Sequence, residues 1–235
     1  GDELVTPDRA PGPGQVRELN SYVLAGLVQA GGGIPKFYGI VGDSREALAQ
    51  AVGQASLENH LVLLSGGSSV GTRDWTYQVL DELTGGGILF EGLAIHPGKP
   101  TIAAAPRKQA PGQAGLLIGL PGHPVSAMVV FKLLLAPLLL YGDYQRAELA
   151  AQKREVRARL VESVPSVAGR EDYVGVKLAA GAGSPQMGEC WARPVWGKSG
   201  LISTMVEADG LIRIPAAAEG LAAGEMVAVR LWDLD

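Results

Sequence analysis

The 235-residue sequence holds one cysteine, Cys190. That excludes an intramolecular disulfide framework and a cysteine-rich zinc site, and it fits a reducing compartment, the cytoplasm. It has no basic excess. Twenty Lys and Arg against 24 Asp and Glu leave a net charge of −4, which offers no basic excess to neutralise a nucleic-acid backbone. It is poor in histidine, and His60, His96 and His123 show no metal-ligand spacing. It lacks a membrane-length apolar run. The most apolar stretch, Val125–Tyr141, contains Lys132 and Pro137 and falls short of the roughly 20 apolar residues a spanning helix needs; it reads as a buried core helix. No signal peptide and no internal repeat are found. Residue 1 is Gly rather than Met, and the abrupt start reads as one piece of a larger protein. No Ser-His-Asp order is readable. Gly197-Lys198-Ser199 lacks the upstream glycine of a P-loop, since Ala192 stands there.

What is present is apolar and well punctuated. Apolar residues make up 47% and charged residues 19%, which excludes intrinsic disorder. The 33 glycines and 15 prolines sit between apolar runs rather than in low-complexity tracts. Leu19–Ala30 carries Leu19, Val23, Leu24, Leu27 and Val28 at helical spacing and ends on Gly31-Gly32-Gly33. Lys36–Val41 reads as a strand. Asp43 or Ser44 caps the next helix, and with Asp43 as cap, Glu46 completes a capping box. Leu61–Leu64 is a continuous apolar run, as in a strand buried on both faces. Asp74–Leu83 reads as a helix; Ile88–Phe90, Leu93–Ile95, Thr101–Ala105 and Gly115–Leu120 read as strands. This alternation implies an α/β domain with a doubly wound, mostly parallel sheet over residues 1–151. From residue 152 to 235 short alternating runs separated by Gly, Pro and Ser turns imply a small β-barrel or sandwich.

Ligands of such a sheet bind beyond the carboxyl ends of its strands. Three exits carry suggestive residues: Asp43, the loop Ser65-Gly66-Gly67-Ser68-Ser69-Val70-Gly71, and Pro121-Gly122-His123-Pro124. A glycine-rich loop before a helix offers backbone donors to an anion, although a plain tight turn needs glycine equally. Asp43 and Asp74 also serve as ordinary first-turn acids. Ser126 can cap the helix that follows Pro124. Lys99, between Pro97-Gly98 and Pro100, sits on a stiff loop suited to holding an anion.

Taken together these segments resemble the molybdopterin molybdenumtransferase family, of the MoeA and gephyrin E-domain type. Gly1-Asp2-Glu3-Leu4, Pro13–Ser21, Ser65–Gly71 with Asp74, Pro97–Pro100 and Gly119–Ala127 carry the resemblance, followed by Gly197–Ser203 and Ala208–Ile212. It implies a molybdopterin-binding α/β domain with a small β-barrel behind it. The implied reaction inserts molybdenum from molybdate into adenylylated molybdopterin, with Mg²⁺ assisting and AMP released. Glu3, Asp43, Asp74 and Lys99 match the family's catalytic positions, with Asp43 and Asp74 as Mg²⁺ ligands. Ser65, Gly66, Gly67, Ser68, Ser69, Gly71, Pro121, Gly122, Pro124, Ser126 and Ser199 fall to the substrate cleft. A homodimer is implied, with a pterin adenylyltransferase as pathway partner and no nucleic acid or membrane. The family's strand ahead of Gly1 and its further N-terminal domains are absent from this sequence, and His96 stands where many members have Lys or Arg.

Two other functions fit parts of the sequence. One is pterin adenylylation of the Mog type, which shares the α/β fold and a Ser/Thr-Gly-Gly loop. The other is a module that binds molybdenum cofactor, or scaffolds a partner, without turnover.

Overall fold

The computed structural model describes residues 1–66, 75–106, 114–142, 145–146, 155–180 and 190–232. In chain order the elements begin with β1 (Leu4–Val5), β2 (Val16–Arg17), α1 (Asn20–Ala30), α2 (Arg45–Glu58), β3 (Leu61–Ser65) and α3 (Trp75–Thr84). They continue with β4 (Ile88–Glu91), β5 (Ile95–His96), β6 (Ile102–Ala104), β7 (Leu116–Leu120) and α4 (Pro124–Val130). A π-helical turn at Phe131–Leu135 joins α4 to α5 (Ala136–Tyr141). The rest is β8 (Glu155–Leu160), β9 (Val164–Pro165), β10 (Glu171–Ala180), β11 (Cys190–Pro194), α6 (Ser203–Glu207), β12 (Gly210–Ile214), β13 (Gly220–Leu221) and β14 (Met226–Leu231).

Packing divides the chain into two units. The first holds Gly1–Leu27, Ile34–Leu93 and Gly98–Val130; the second holds Val28–Gly33, Ala94–Pro97 and Phe131–Asp235.

The first unit is built on a four-stranded sheet of order β3-β7-β6-β4. β3 and β7 are parallel, and β6 runs antiparallel between β7 and β4. Three of the four strands therefore point the same way. Period-two alternation puts Val62, Leu117, Ile102 and Ala104 on one face, where they pack with Val52 and Ala55 of α2 and Val79 and Leu80 of α3. Gly119 allows that close approach: a Cβ there would stand 2.9 Å from Thr76 Cγ2. Ile118 and Leu120, on the other face, are buried as well, and α4 packs beside β7.

Several local expectations change. Ser44, not Asp43, caps α2, its Oγ accepting from Ala47 N at 3.2 Å. No Asp43–Glu46 capping box forms, because the serine cap places Ala47 at the third helical position. Lys36–Val41 joins no ladder. It is pinned to the end of α2 instead, where Tyr38 Oη donates to Glu58 Oε2 and Asn59 Nδ2 donates to Tyr38 Oη, both at 2.7 Å. β3 has β7 as its one neighbour among the described strands, and of its residues only Val62 is fully buried rather than both faces. Ser126 does not cap α4. The helix starts two residues earlier, at Pro124, whose fixed φ and missing N–H suit a first helical position, and Ser126 lies buried in its first turn.

The second unit contains a closed barrel. Strands pair in the order β11-β8-β14-β12-β10, and β10 pairs again with β11. Closure leaves no free edge around the ring. Ala158, Leu160, Val176, Ala192, Ile212, Ile214, Val227 and Val229 fill it. β5 adds to β10 in parallel, so the Leu93–Ile95 run contributes its strand to this sheet and not to the α/β sheet. The apolar stretch is not too short after all: with Pro124 included, the helix Pro124–Tyr141 is long and apolar enough to cross a membrane by length and composition, and half of it is buried inside the protein, as a core helix is.

Candidate functional site

The first unit gathers its chemistry at one edge of the sheet. β3 and β7 end side by side, with Ser65 opposite Leu120. Their chains leave through two adjoining turns, Ser65-Gly66 and Pro121-Gly122. Gly66 N donates to Leu120 O at 3.2 Å. The φ of +102° at Gly66 belongs to glycine. The turns touch, since a Cβ on Gly122 would lie 3.4 Å from Gly66 Cα.

β6 runs the other way, so it begins at this same edge, with Ile102 opposite Gly119. The segment entering it is Gly98-Lys99-Pro100-Thr101. Lys99 O accepts from both Leu93 N and Thr101 N at 2.9 Å, and Thr101 Oγ1 donates to Gly98 O at 2.7 Å. The backbone is thus fixed while the Lys99 side chain is exposed.

Asp43 reaches the edge by helix direction. The end of α2 meets the start of β7, where Ala114 N donates to Ser56 O at 2.7 Å and Gly115 N to His60 O at 2.9 Å. The start of α2, with Ser44 and Asp43, therefore points to the opposite edge, where β3 and β7 end. Asp43 Oδ2 accepts from Asp2 N at 2.9 Å, and its side chain is 63% exposed. Glu3 holds the β1–β2 pair through its carbonyl, which accepts from Val16 N at 2.8 Å, and it too is exposed.

The structure thus brings Ser65, Gly66, Lys99, Pro121, Gly122, Pro124 and Asp43 to one sheet edge. Gly67, Ser68, Ser69, Gly71 and Asp74 lie outside the described residues. Ser199 belongs to the barrel unit, in a turn where Leu201 N donates to Lys198 O at 2.9 Å. His96 belongs there as well: it pairs with Asp172 in the β5–β10 ladder, its Nδ1 3.8 Å from an Asp172 carboxylate that also accepts from Arg170 Nε at 2.9 Å.

One residue of this edge was not among the expected site residues. Asn20, buried at the start of α1, donates through Nδ2 to Gly122 O at 2.8 Å and to Ser65 Oγ. A polar residue opening an apolar helix was the available signal, but nothing local names its partners.

Among the described residues no group of three or more His, Cys, Asp or Glu could hold a metal ion. Mg²⁺ does not require such a cage, since it keeps several waters and takes one or two carboxylates plus phosphates. The exposed carboxylate of Asp43 is an oxygen ligand of the kind that donor set takes.

The fold is an α/β unit and, later in the chain, a unit that contains a closed β-barrel. Residues 1–141 match the family model "Probable molybdopterin binding domain", and residues 157–232 match "MoeA C-terminal region (domain IV)". The chain belongs to the MoeA family. It is 32% identical over 237 residues to molybdopterin molybdenumtransferase 1 of Mycobacterium tuberculosis, covering 97% of this chain and 52% of that protein. It is 39% identical over 140 residues to a molybdopterin molybdenumtransferase of Nostoc, covering 59% and 31%. A crystal structure of the molybdopterin biosynthesis MoeA protein of Pyrococcus horikosii superposes with a TM-score of 0.74 at 34% identity, covering 97% of this chain and 51% of that one. Matched along nearly its own whole length, the chain spans about half the length of the Mycobacterium tuberculosis and Pyrococcus horikosii proteins.

Proposed function

We propose that the protein acts in molybdenum-cofactor biosynthesis as a molybdopterin molybdenumtransferase. It takes molybdate and adenylylated molybdopterin as substrates, transfers molybdenum to the dithiolene sulfurs and releases AMP. The observation that carries this reading is the convergence of two touching strand-end turns, the Lys99 loop and Asp43 at one sheet edge. The substrate is polyanionic. The Lys99 ammonium suits its phosphates, as would backbone donors of the glycine-rich loop that the sequence places after Gly66. Asp43 beside phosphates would repel them without a hard cation, so we assign it, with Asp74, to Mg²⁺ or its waters, and Glu3 more remotely. Mg²⁺ supplies Lewis-acid polarisation of the phosphoanhydride when bound.

In this reading residues 1–151 bind the pterin and residues 152–235 form an accessory barrel carrying Ser199. The protein works in the cytoplasm as a homodimer and receives its substrate from a pterin adenylyltransferase. The barrel's match to the MoeA C-terminal region supports the transferase over a Mog-type adenylyltransferase.

The test uses the full-length protein with adenylylated molybdopterin, molybdate and Mg²⁺. Molybdate-dependent AMP release is expected, and it should fall away in an Asp43→Asn, Asp74→Asn double variant. Unchanged Mg²⁺-dependent turnover in that variant overturns the assignment. Tight pterin binding without AMP release selects the binding module, and formation of adenylylated pterin from ATP selects the Mog-type enzyme.

A further inference from the structure

We propose that Asn20 is a positioning residue that clamps the two turns of the pterin edge into a single rigid surface; this rests on the pterin-binding reading above. The residue is 8% exposed. Its amide carries two N–H groups, and both are engaged. One donates to Gly122 O at 2.8 Å, the other to Ser65 Oγ. The Gly122 carbonyl can only accept, which fixes the nitrogen of the amide on that side. Ser65 Oγ passes the connection on, donating to Pro121 O at 3.5 Å. One side chain thereby joins turns that are 45 and 102 residues away from it in sequence.

The location of these bonds separates positioning from mere stability. Neither is one of the backbone bonds of the β3–β7 ladder, which runs from Leu61–Leu116 to Ser65–Leu120: one reaches the side chain of its last residue, Ser65, and the other lies two residues past Leu120, at Gly122. What the amide restrains is the end of β3 and the Pro121-Gly122 turn beyond β7, the backbone that faces the ligand in this reading. Holding those turns in place before binding removes an ordering cost that the ligand would otherwise meet. It also turns the Ser65 hydroxyl toward Pro121 O, so Ser65 serves the site through its orientation.

Aspartate has the shape of asparagine but no donor, so Asn20→Asp breaks the bond to Gly122 O and adds a negative charge, while Asn20→Ala breaks both bonds without adding one. Asn59 provides a control of the same chemistry at the far edge of the sheet, where its Nδ2 donates to Tyr38 Oη at 2.7 Å and Ala55 O at 2.8 Å. The full-length wild type, Asn20→Asp, Asn20→Ala and Asn59→Asp are titrated with adenylylated molybdopterin and assayed for molybdate-dependent AMP release. Asn20→Asp should raise Kd and KM about tenfold or more while kcat at saturating pterin stays within about threefold, as expected for lost preorganisation. Asn20→Ala should move the same way by less, and it carries the test if the aspartate variant does not fold. Asn59→Asp should lower Tm and leave Kd unchanged. Folded Asn20 variants with a Kd within about twofold of wild type overturn the clamp, as does an equal loss in Asn59→Asp. A wild type that binds no pterin overturns the functional reading instead.

Discussion

Each of the two units carries a surface group made of the same three parts: a tyrosine, a glutamate and a cation. In the α/β unit Tyr38 donates to Glu58 at 2.7 Å, and Lys36 pairs with the same carboxylate. In the barrel Tyr173 donates to Glu171, also at 2.7 Å, and Arg213 pairs with that carboxylate. The hydrogen bonds are alike, yet the protons behave differently. The Lys36 ammonium, followed by Tyr38 and Gln54, holds the Glu58 carboxyl down to about 2. In the barrel the larger effect falls on the phenol. Burial, followed by the charge-assisted bond to Glu171, pushes Tyr173 up to about 12, while Arg213 lowers Glu171. The hydrogen bond alone does not decide which partner shifts. Water does: where it is lost, the neutral phenol is favoured, and where it remains, the ion pair with lysine dominates.

The largest effect expected from this comparison is a control on it. Ile212 is fully buried on β12, and its neighbour Arg213 points to the opposite face. Ile212→Ala should cost about 2–5 kcal/mol through lost burial and the cavity left behind. Because the Tyr173 group sits on the other face, that cost should be nearly independent of pH up to 12. Denaturant unfolding at several pH values checks both parts, and a cost that grows between pH 10 and 12 would tie the two faces together. The next effect is smaller and belongs to Tyr173 itself. A phenol whose folded value is raised stabilises the fold fully below its unfolded value near 10, and that stability is lost as pH climbs through about 12. Tyr173 is only half-buried, so solvent screens part of this effect, and wild type should lose on the order of 1 kcal/mol across this window relative to Tyr173→Phe, which has nothing to titrate. Parallel alkaline stability curves for the two proteins would remove burial as the cause.

Much of the architecture was legible because it rests on local pattern. The periodicity of Leu19–Ala30 and the apolar run Gly115–Leu120 place α1 and β7 to within a residue. Strand exits place Ser65, Gly66, Pro121 and Gly122 at a common edge, since a parallel pair must release both chains on one side. What the sequence hid depends on partners. Ile95-His96 reads as strand, but nothing in it says that β10 of the barrel is its neighbour. Lys36–Val41 has strand composition and finds a tyrosine–carboxylate anchor on α2 in place of a ladder. Asn20 could be seen as a polar helix start, but its two acceptors lie far along the chain. Ser126 looked like a cap until Pro124 opened the helix ahead of it.

The smallest expected effect is also the one that tests the other half of the comparison. Glu58 is depressed from 4.5 to about 2, so the stability it contributes is present above pH 4.5 and lost as pH falls through about 2. Glu58→Gln should be less stable than wild type at neutral pH. The two acid-unfolding curves should then converge across that window, because a protonated glutamate and a glutamine are both uncharged. The group lies at the surface, where ion pairs contribute little and salt screens them. The neutral-pH difference should accordingly be small and should shrink further in concentrated NaCl. A difference that persists unchanged in salt and at pH 2 would mean that Glu58 acts through packing against Tyr38 and Lys36 rather than through its charge, and the contrast with the barrel would then rest on Tyr173 alone.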